Sequence, residues 1–176
     1  MTRYRIQHWR NRAQSFYSDL SPQVADWLFD PSSLTARLIR QCNGRFSVRV
    51  LDEAYGMARL SEQRILKMHN RETALIREVH LLCDGHPLVY ARTVIPASTL
   101  TGAQKRLARL GDKPLGAVLF ADKSMQRDEV QIARLKPHQV KLNSNEPSDI
   151  WGRRSVFRLS NKPLLVSEYF LPELFV

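Results

Sequence analysis

The stretch "ALIREVHLLCDG", residues 74–85, alternates as a β-strand does and ends in a turn. Successive side chains of a strand point to opposite faces. One face therefore carries Leu75, Arg77, Val79, Leu81 and Cys83. Four of these five residues are apolar, and an arginine is almost never fully buried unless something pairs with it. Arg77 therefore raises the question of what it meets inside the fold.

The surrounding sequence predicts a sheet built from hairpins. Asp84-Gly85 is a strong hairpin signal, and "LVYARTVIP", residues 88–96, is expected to return as the paired strand. "WGRRSVFRLSNKPLLVSEYFLP", residues 151–172, is predicted to be a second hairpin that turns at Ser160-Asn161. "GRFSVRVL", residues 44–51, and "MQRDEVQIARL", residues 125–135, are predicted strands. Hairpin connections predict an antiparallel sheet.

Helices are expected to pack on that sheet, which gives an α+β fold. Ser21 and Pro22 suit the start of one helix, and Ser32 or Ser33 suits the start of another that ends before Gly44. Short helical stretches are also expected in residues 98–111 and 112–120. Residues 52–72 are interpreted as a connection with some helix, and residues 136–149 as a surface loop.

The last predicted strand repeats the anomaly of the first. One of its faces carries Leu164, Val166, Glu168 and Phe170, so a single carboxylate lies in an apolar row. Two interpretations are open. Arg77 and Glu168 could form a buried ion pair, or both could face a cavity in which Arg77 binds a ligand carboxylate and Glu168 meets a hydroxyl or a proton.

Length, charge and cysteine usage narrow the class of protein. The chain has 176 residues, which suits a single domain over residues 1–176. The net charge of +10 favours anionic partners, but no motif of a nucleic-acid-binding protein is present, so we expect a small acid. No signal peptide or membrane span is evident, and we expect a cytoplasmic protein. Cys42 and Cys83 suggest neither a disulfide framework nor a metal site, and Cys83 is interpreted as a buried free thiol.

Three blocks of the chain resemble the chorismate pyruvate-lyase family, which makes 4-hydroxybenzoate for ubiquinone: "REVHLLCDGHPLVYARTVIPASTL", "LGDKPLGAVLF" and the second hairpin. The resemblance implies an antiparallel sheet whose ligand pocket is closed by helical lids. It also implies that Arg77 binds the ring carboxylate, that Glu168 meets the ring hydroxyl, and that backbone amides at Leu34 and Leu115 contribute. Chorismate and 4-hydroxybenzoate are then the partners, with no cofactor and no metal, and we expect a monomer.

The implied reaction breaks the C3–O bond of chorismate and removes the hydrogen from C4. For Glu168 three possibilities stay open: it binds the C4 hydroxyl, it takes the C4 proton as a general base, or the hydrogen passes directly to the leaving group. The second carboxylate of chorismate also requires a cation, for which Arg92, Arg153 and Arg154 are candidates, although each is individually expected at the surface. The rival hypothesis is a non-catalytic domain that senses a small aromatic acid, as in some transcription regulators; the short segment before the matched region favours the enzyme.

Overall fold

The computed structural model describes residues 8–11, 20–43, 45–136 and 149–176. In these ranges one antiparallel sheet of eight strands forms the centre of the molecule, with the order β1-β6-β7-β8-β4-β3-β2 and with β5 paired to β7. The strands are β1 Arg10–Asn11, β2 Phe46–Gly56, β3 Ala74–Cys83, β4 His86–Pro96, β5 Gln126–Arg127, β6 Gln131–Leu135, β7 Ile150–Leu159 and β8 Lys162–Phe170. The α+β prediction is confirmed.

Within the described residues, four α-helices and two 3₁₀-helices accompany the sheet: α1 Pro22–Leu28, α2 Leu34–Gln41, α3 Leu60–Leu66 and α4 Leu115–Ala121, with the 3₁₀-helices at Gly102–Arg109 and Pro172–Phe175. The predicted caps are confirmed, because the hydroxyl of Ser21 accepts from the amide of Val24 and that of Ser33 from the amide of Ala36. The predicted helix end at Gly44 and most of the predicted loop lie outside the described residues. No helix in the described ranges is long and apolar enough to cross a membrane.

Both predicted hairpins are confirmed. Asp84 and Gly85 connect β3 to β4, and Ser160 and Asn161 connect β7 to β8. All four residues have positive φ angles, between 49° and 79°. A two-residue turn with both central residues in the left-handed region matches the twist of the paired strands. Because these turns set the register, they decide which face of the sheet each side chain of the two hairpins occupies.

Strand β2 is longer than the sequence predicted. It continues to Gly56 and pairs with β3 along its whole length, with a shift of register between Val50 and Asp52. A bulge of this kind breaks the alternation of side chains. The interpretation of residues 52–72 as a connection was therefore wrong for the first five residues and correct for the short helix α3.

Apolar clusters pack on both faces of the sheet, here called the front face and the back face. On the front face, α1 and α2 pack on Val79, Leu81 and Ala91, and α4 packs on Phe157 and Val166. On the back face, Tyr90 stacks on Tyr169 with ring centroids 5.5 Å apart, and α3 covers Val94 and Leu165. The front clusters leave a gap between them, and that gap is the cavity described below.

The expectation of a free thiol at Cys83 was wrong. The structure pairs Cys83, the last residue of β3, with Cys42 at the carboxyl end of α2, and their Cα atoms are 5.4 Å apart. That separation lies in the usual range for a disulfide. The two residues are 41 positions apart, so their proximity depends on how α2 packs across the sheet. The bond ties one end of α2 to the end of the strand that carries Arg77.

Candidate active site

A cavity lies between the front face of the sheet and the amino ends of α2 and α4. The side chains of β3, β4, β7 and β8 form its floor, and the starts of the two helices form its wall. The four residues for which the sequence predicted ligand contacts all border this cavity: Leu34, Arg77, Leu115 and Glu168. The roles predicted for them remain predictions.

Arg77 is buried, with 3% of its side chain exposed. Its Nη1 donates to Oε2 of Glu53 at 2.5 Å, and its Nη2 donates to the carbonyl oxygen of Gly111 at 2.6 Å. Glu53 stands directly opposite Arg77 in the β2–β3 register. A guanidinium has five N–H donors, and these two contacts leave others for a ligand. The two partners hold the guanidinium in one orientation, and bidentate binding of a carboxylate depends on such a fixed plane.

Glu168 lies on β8 and is paired with a different arginine. Its Oε2 accepts from Nε of Arg153 at 2.6 Å, and the two residues are opposite one another in the β7–β8 register. Arg153 is 2% exposed, and its Nη1 donates to the carbonyl oxygens of Trp27 and Asp30, both at 2.9 Å. Arg153 therefore positions Glu168 and ties the segment between α1 and α2 to the sheet.

These contacts show that Arg77 and Glu168 do not form the ion pair that was one of the two interpretations. Both side chains face the cavity, but Arg77 pairs with Glu53 and Glu168 pairs with Arg153. They do not pair with each other. The register explains the separation. Arg77 is opposite Thr93, whereas Glu168 is opposite Ala91, so the two residues are two strands and two positions apart. Neighbouring strands are about 4.8 Å apart, which puts the two backbones roughly 10 Å apart across the sheet. Arg77 and Glu168 therefore lie at separate positions on the floor of the cavity.

The starts of α2 and α4 meet at the cavity. The amides of Leu34 and Leu115 are the first of their helices, where backbone N–H groups have no partner within the helix. The two helices approach so closely that a Cβ added to Gly116 would stand 2.5 Å from Oγ1 of Thr35. Glycine at this position lets both helix starts border the same space. Lys113, Leu115 and Gly116, at the start of α4, all border the cavity.

The expectation that Arg92, Arg153 and Arg154 are surface residues was wrong, because all three are buried, and Arg92 and Arg154 also lie away from the cavity. Arg92 is 7% exposed and bridges Glu62 and Glu78. Burial opposes its charge, but hydrogen bonds and attraction from the two carboxylates hold the pKa of Arg92 above its ordinary value. Arg154, also 7% exposed, donates to Gln131, and burial lowers the pKa of Arg154 to about 10. Neither residue borders the cavity.

Arg127 borders the cavity and was missed by the sequence analysis. It belongs to the two-residue strand β5, which is too short for any alternation to be recognised. Its Nε donates to the hydroxyl of Ser155 at 3.1 Å, and its guanidinium lies over the ring of Phe157 at 5.2 Å. Burial and repulsion by Arg153 lower the pKa of Arg127. The sequence predicted one continuous strand over residues 125–135, but the structure divides it into β5 and β6, so only the fold reveals that this side chain borders the cavity.

The charge of the cavity lining is strongly positive. Four basic residues border it and, in the described ranges, one acidic residue: Arg77, Lys113, Arg127 and Arg153 against Glu168. Adding Glu53, which pairs with Arg77, still leaves two positive charges in excess. Such a lining attracts an anion with two charges. Among the described residues no group of three or more histidines, cysteines or carboxylates could hold a metal ion.

Comparison with known proteins agrees with this geometry. The family model described as "Chorismate lyase" matches residues 7–176. A protein of Methylococcus capsulatus named "Probable chorismate pyruvate-lyase" is 40% identical over 153 residues, which is 85% of this chain and 94% of that protein. A protein of the same name from Azoarcus is 42% identical, over 85% of this chain and 84% of its own length.

Solved structures resemble the chain in fold. A GntR-family transcriptional regulator from Bacillus cereus matches with a TM-score of 0.55 at 10% identity, over 75% of this chain and 95% of the regulator chain. At that identity the likeness concerns the arrangement of the sheet and helices alone. The match of the family model and the identity of the relatives over most of their length establish that the chain belongs to the chorismate lyase family.

Proposed function

We propose that the chain eliminates pyruvate from chorismate to give 4-hydroxybenzoate. The observation that carries the proposal is the cavity in which Arg77 and Glu168 stand apart, each held by a partner of its own. Chorismate has a carboxylate at C1 and a hydroxyl at C4, at opposite ends of its ring. In the proposed orientation Arg77 binds the carboxylate and Glu168 accepts a hydrogen bond from the hydroxyl. The amides of Leu34 and Leu115 donate to the same ligand.

The charge of the site favours the substrate over an uncharged ring. Chorismate carries two carboxylates, and the lining has two more positive charges than negative ones when Glu53 is counted. In a largely enclosed site, charges that are already in place stabilise a charged ligand more strongly than solvent does, because they need no reorganisation. The excess positive charge of the lining offers no such stabilisation to a neutral aromatic ligand.

The proposed chemistry requires orientation more than it requires a reactive group. When the C3–O bond breaks, its electron pair leaves with the enolpyruvyl oxygen. Loss of the hydrogen at C4 supplies the electron pair that completes the aromatic ring, and the departing enol becomes pyruvate when its methylene carbon takes up a proton. Aromatisation drives the reaction, so we propose that no metal and no cofactor takes part. Holding the ring at both ends supplies the orientation.

Product analysis tests the proposal. Purified protein is incubated with chorismate, and the products are separated and identified by their ultraviolet spectra. We expect 4-hydroxybenzoate and pyruvate in equal amounts, with no loss of rate after treatment with a chelator. Arg77→Gln should lower kcat/KM about tenfold to several hundredfold. Arg158→Gln is the matched control, because Arg158 pairs with Asp128 outside the cavity. Chorismate that stays intact, or that rearranges into another product, would contradict the proposal.

The same experiment separates the enzyme from an effector-binding domain that only senses an aromatic acid. The likeness to transcription regulators concerns the fold and supports no choice between the two. Binding of chorismate without release of pyruvate would favour the sensor. The resemblance of the sequence further suggests that the product serves ubiquinone synthesis in the cytoplasm, and we propose that the chain acts there as a monomer.

A further inference from the structure

Of the three arginines that border the cavity, Arg127 is the one without a carboxylate partner in the described part of the chain. Arg77 pairs with Glu53 and Arg153 pairs with Glu168. The acceptors of Arg127 are neutral: the Ser155 hydroxyl at 3.1 Å and the carbonyl oxygens of Asp30 and Pro31, both at 3.4 Å. The two carbonyl contacts are longer than a well-formed hydrogen bond. A partly buried guanidinium with such weak acceptors favours an anionic ligand over its present neighbours.

The strand register locates Arg127 relative to the ring. Ser155 and Arg77 belong to one row across the sheet, which runs from Arg77 through Thr93 and Val166 to Ser155. Because Arg127 donates to Ser155, its guanidinium lies at the end of this row away from Arg77. Glu168 is in the neighbouring row, and its charge acts on Arg127. Arg127 is therefore far from the proposed carboxylate position and close to the proposed hydroxyl position.

The covalent structure of chorismate shows where its second carboxylate lies relative to the ring carboxylate and the hydroxyl. Its enolpyruvyl ether is at C3, next to the C4 hydroxyl and away from the C1 carboxylate. If Arg77 holds C1 and Glu168 meets the C4 hydroxyl, the arm at C3 extends from the end of the ring that lies near Glu168. We propose that Arg127 binds the carboxylate of this enolpyruvyl arm. The inference rests on the proposed function and adds to it the residue that recognises the second carboxylate.

This assignment separates the roles of two neighbouring arginines. Arg153 uses its Nε and Nη1 donors on Glu168 and on two backbone carbonyls, so it positions the carboxylate. Arg127 would touch the substrate itself. Since negative charge develops on the enolpyruvyl group as the C3–O bond breaks, a cation at the adjacent carboxylate also stabilises the departing group. The aromatic product lacks this arm and gains nothing from Arg127.

Two ligands that differ only in the arm test the inference. The first is 4-hydroxybenzoate. The second is 3-(carboxymethoxy)-4-hydroxybenzoate, which has the carboxylate at C1, the hydroxyl at C4 and a carboxylate arm at C3, but is already aromatic and cannot react. Isothermal titration calorimetry gives the affinity of each ligand for wild type, Arg127→Gln and Arg127→Lys. We expect Arg127→Gln to weaken the dicarboxylate about tenfold to a hundredfold and 4-hydroxybenzoate by less than about twofold, with Arg127→Lys in between.

Controls keep the outcomes distinct. Arg158→Gln removes the same charge from the neighbouring strand outside the cavity and should leave both affinities unchanged. Arg77→Gln should weaken both ligands, because both carry the C1 carboxylate. Retained binding of 4-hydroxybenzoate shows that the Arg127 variant is folded. Equal losses for the two ligands, or no loss for either, would overturn the inference. Failure of wild type to convert chorismate would refute the proposed function but leave this comparison of affinities to decide the role of Arg127.

Discussion

A buried cation, Arg77, and a partly buried anion, Glu168, define the candidate site, and each is held by a neighbour on the adjacent strand. Glu53 stands across from Arg77, and Arg153 stands across from Glu168. Directly opposite charges of opposite sign stabilise a strand pair. They also spare each group the cost of an unpaired charge in the interior when no ligand is bound. A residue that binds substrate can thus be buried in the free protein.

The hydroxyl contact proposed for Glu168 predicts a ligand-specific loss in Glu168→Gln. The amide can still accept a hydrogen bond, but the bond is no longer charge-assisted. We expect 4-hydroxybenzoate to bind about fivefold more weakly and benzoate, which has no hydroxyl, to change less. Calorimetric titration of both ligands gives the comparison. Equal losses for the two ligands would refute the contact. A lower melting temperature is expected in either case, because Arg153 loses its carboxylate.

At the residue scale, alternation in the sequence was sufficient to find Arg77 and Glu168, because both interrupt apolar rows in long strands with clear turns. It could not find Glu53, which follows the bulge of β2, nor Arg127 on a strand of two residues. It also could not distinguish Arg153, which borders the cavity, from Arg92 on the opposite face. Whether an arginine borders the cavity depends on which face of the sheet its side chain occupies, and the cavity lies on one face only.

At the scale of elements, the contact between α2 and α4 holds the two helix starts at the cavity. We expect Gly116→Ala to force these helices apart, because the new Cβ would stand 2.5 Å from Oγ1 of Thr35. Overpacking of this kind costs about 1–3 kcal/mol. Affinity for 4-hydroxybenzoate should fall with it, as measured by calorimetry.

Two further variants isolate the cause of that loss. Thr35→Ala in the Gly116→Ala background removes the clashing hydroxyl and should restore part of the affinity. Ala117→Gly weakens α4 by about 1 kcal/mol at an exposed position and should leave binding nearly unchanged. Wild-type binding by Gly116→Ala would show that the approach of the helices does not shape the site.

A substitution on the back face of the sheet should lower stability without changing ligand binding. Arg92 links α3 to β3 and β4 through Glu62 and Glu78, all three of them buried. Arg92→Met would leave two carboxylates buried without their cation, which costs about 3–5 kcal/mol. We expect a large fall in the free energy of unfolding, measured with urea, and unchanged affinity of the folded protein for 4-hydroxybenzoate. Weaker binding with normal stability would place Arg92 in the site after all.

The element scale also shows what local sequence patterns leave out. The turns at Asp84-Gly85 and Ser160-Asn161 specify their hairpins because few residues adopt positive φ angles readily. The pairing of Cys42 with Cys83 depends instead on the packing of α2 across β3, which no local pattern records. The same holds for the contact of α2 with α4. Hairpins were therefore predictable, whereas contacts between distant elements were not.

At the scale of the whole molecule, the back face of the sheet contributes to stability and the front face carries the candidate site. The back face is filled by aromatic rings and by the Arg92 ion pairs, which hold the layers together. The front face keeps the cavity and its excess of positive charge. Because Arg92, Glu62 and Glu78 on the back face already pair with one another, ligand affinity and fold stability should respond to largely separate sets of substitutions.

A cavity that binds the ring acid at both ends predicts inhibition by product. 4-Hydroxybenzoate keeps the carboxylate for Arg77 and the hydroxyl for Glu168 and loses only the arm. We therefore expect added 4-hydroxybenzoate to raise the apparent KM for chorismate, as measured from initial rates of pyruvate release. Benzoate should inhibit less, because it lacks the hydroxyl. An unchanged steady-state rate at high product concentration would contradict the proposed contacts.

A crystal structure of the wild-type protein with 4-hydroxybenzoate tests the central claim most directly. We expect the ring between the sheet and the starts of α2 and α4, with its carboxylate on the guanidinium of Arg77 and its hydroxyl on the carboxylate of Glu168. The amides of Leu34 and Leu115 should lie within hydrogen-bond distance of the ligand. A ring in the reverse orientation, with its carboxylate toward Arg153 and Arg127, or a ring bound outside this cavity, would contradict the account.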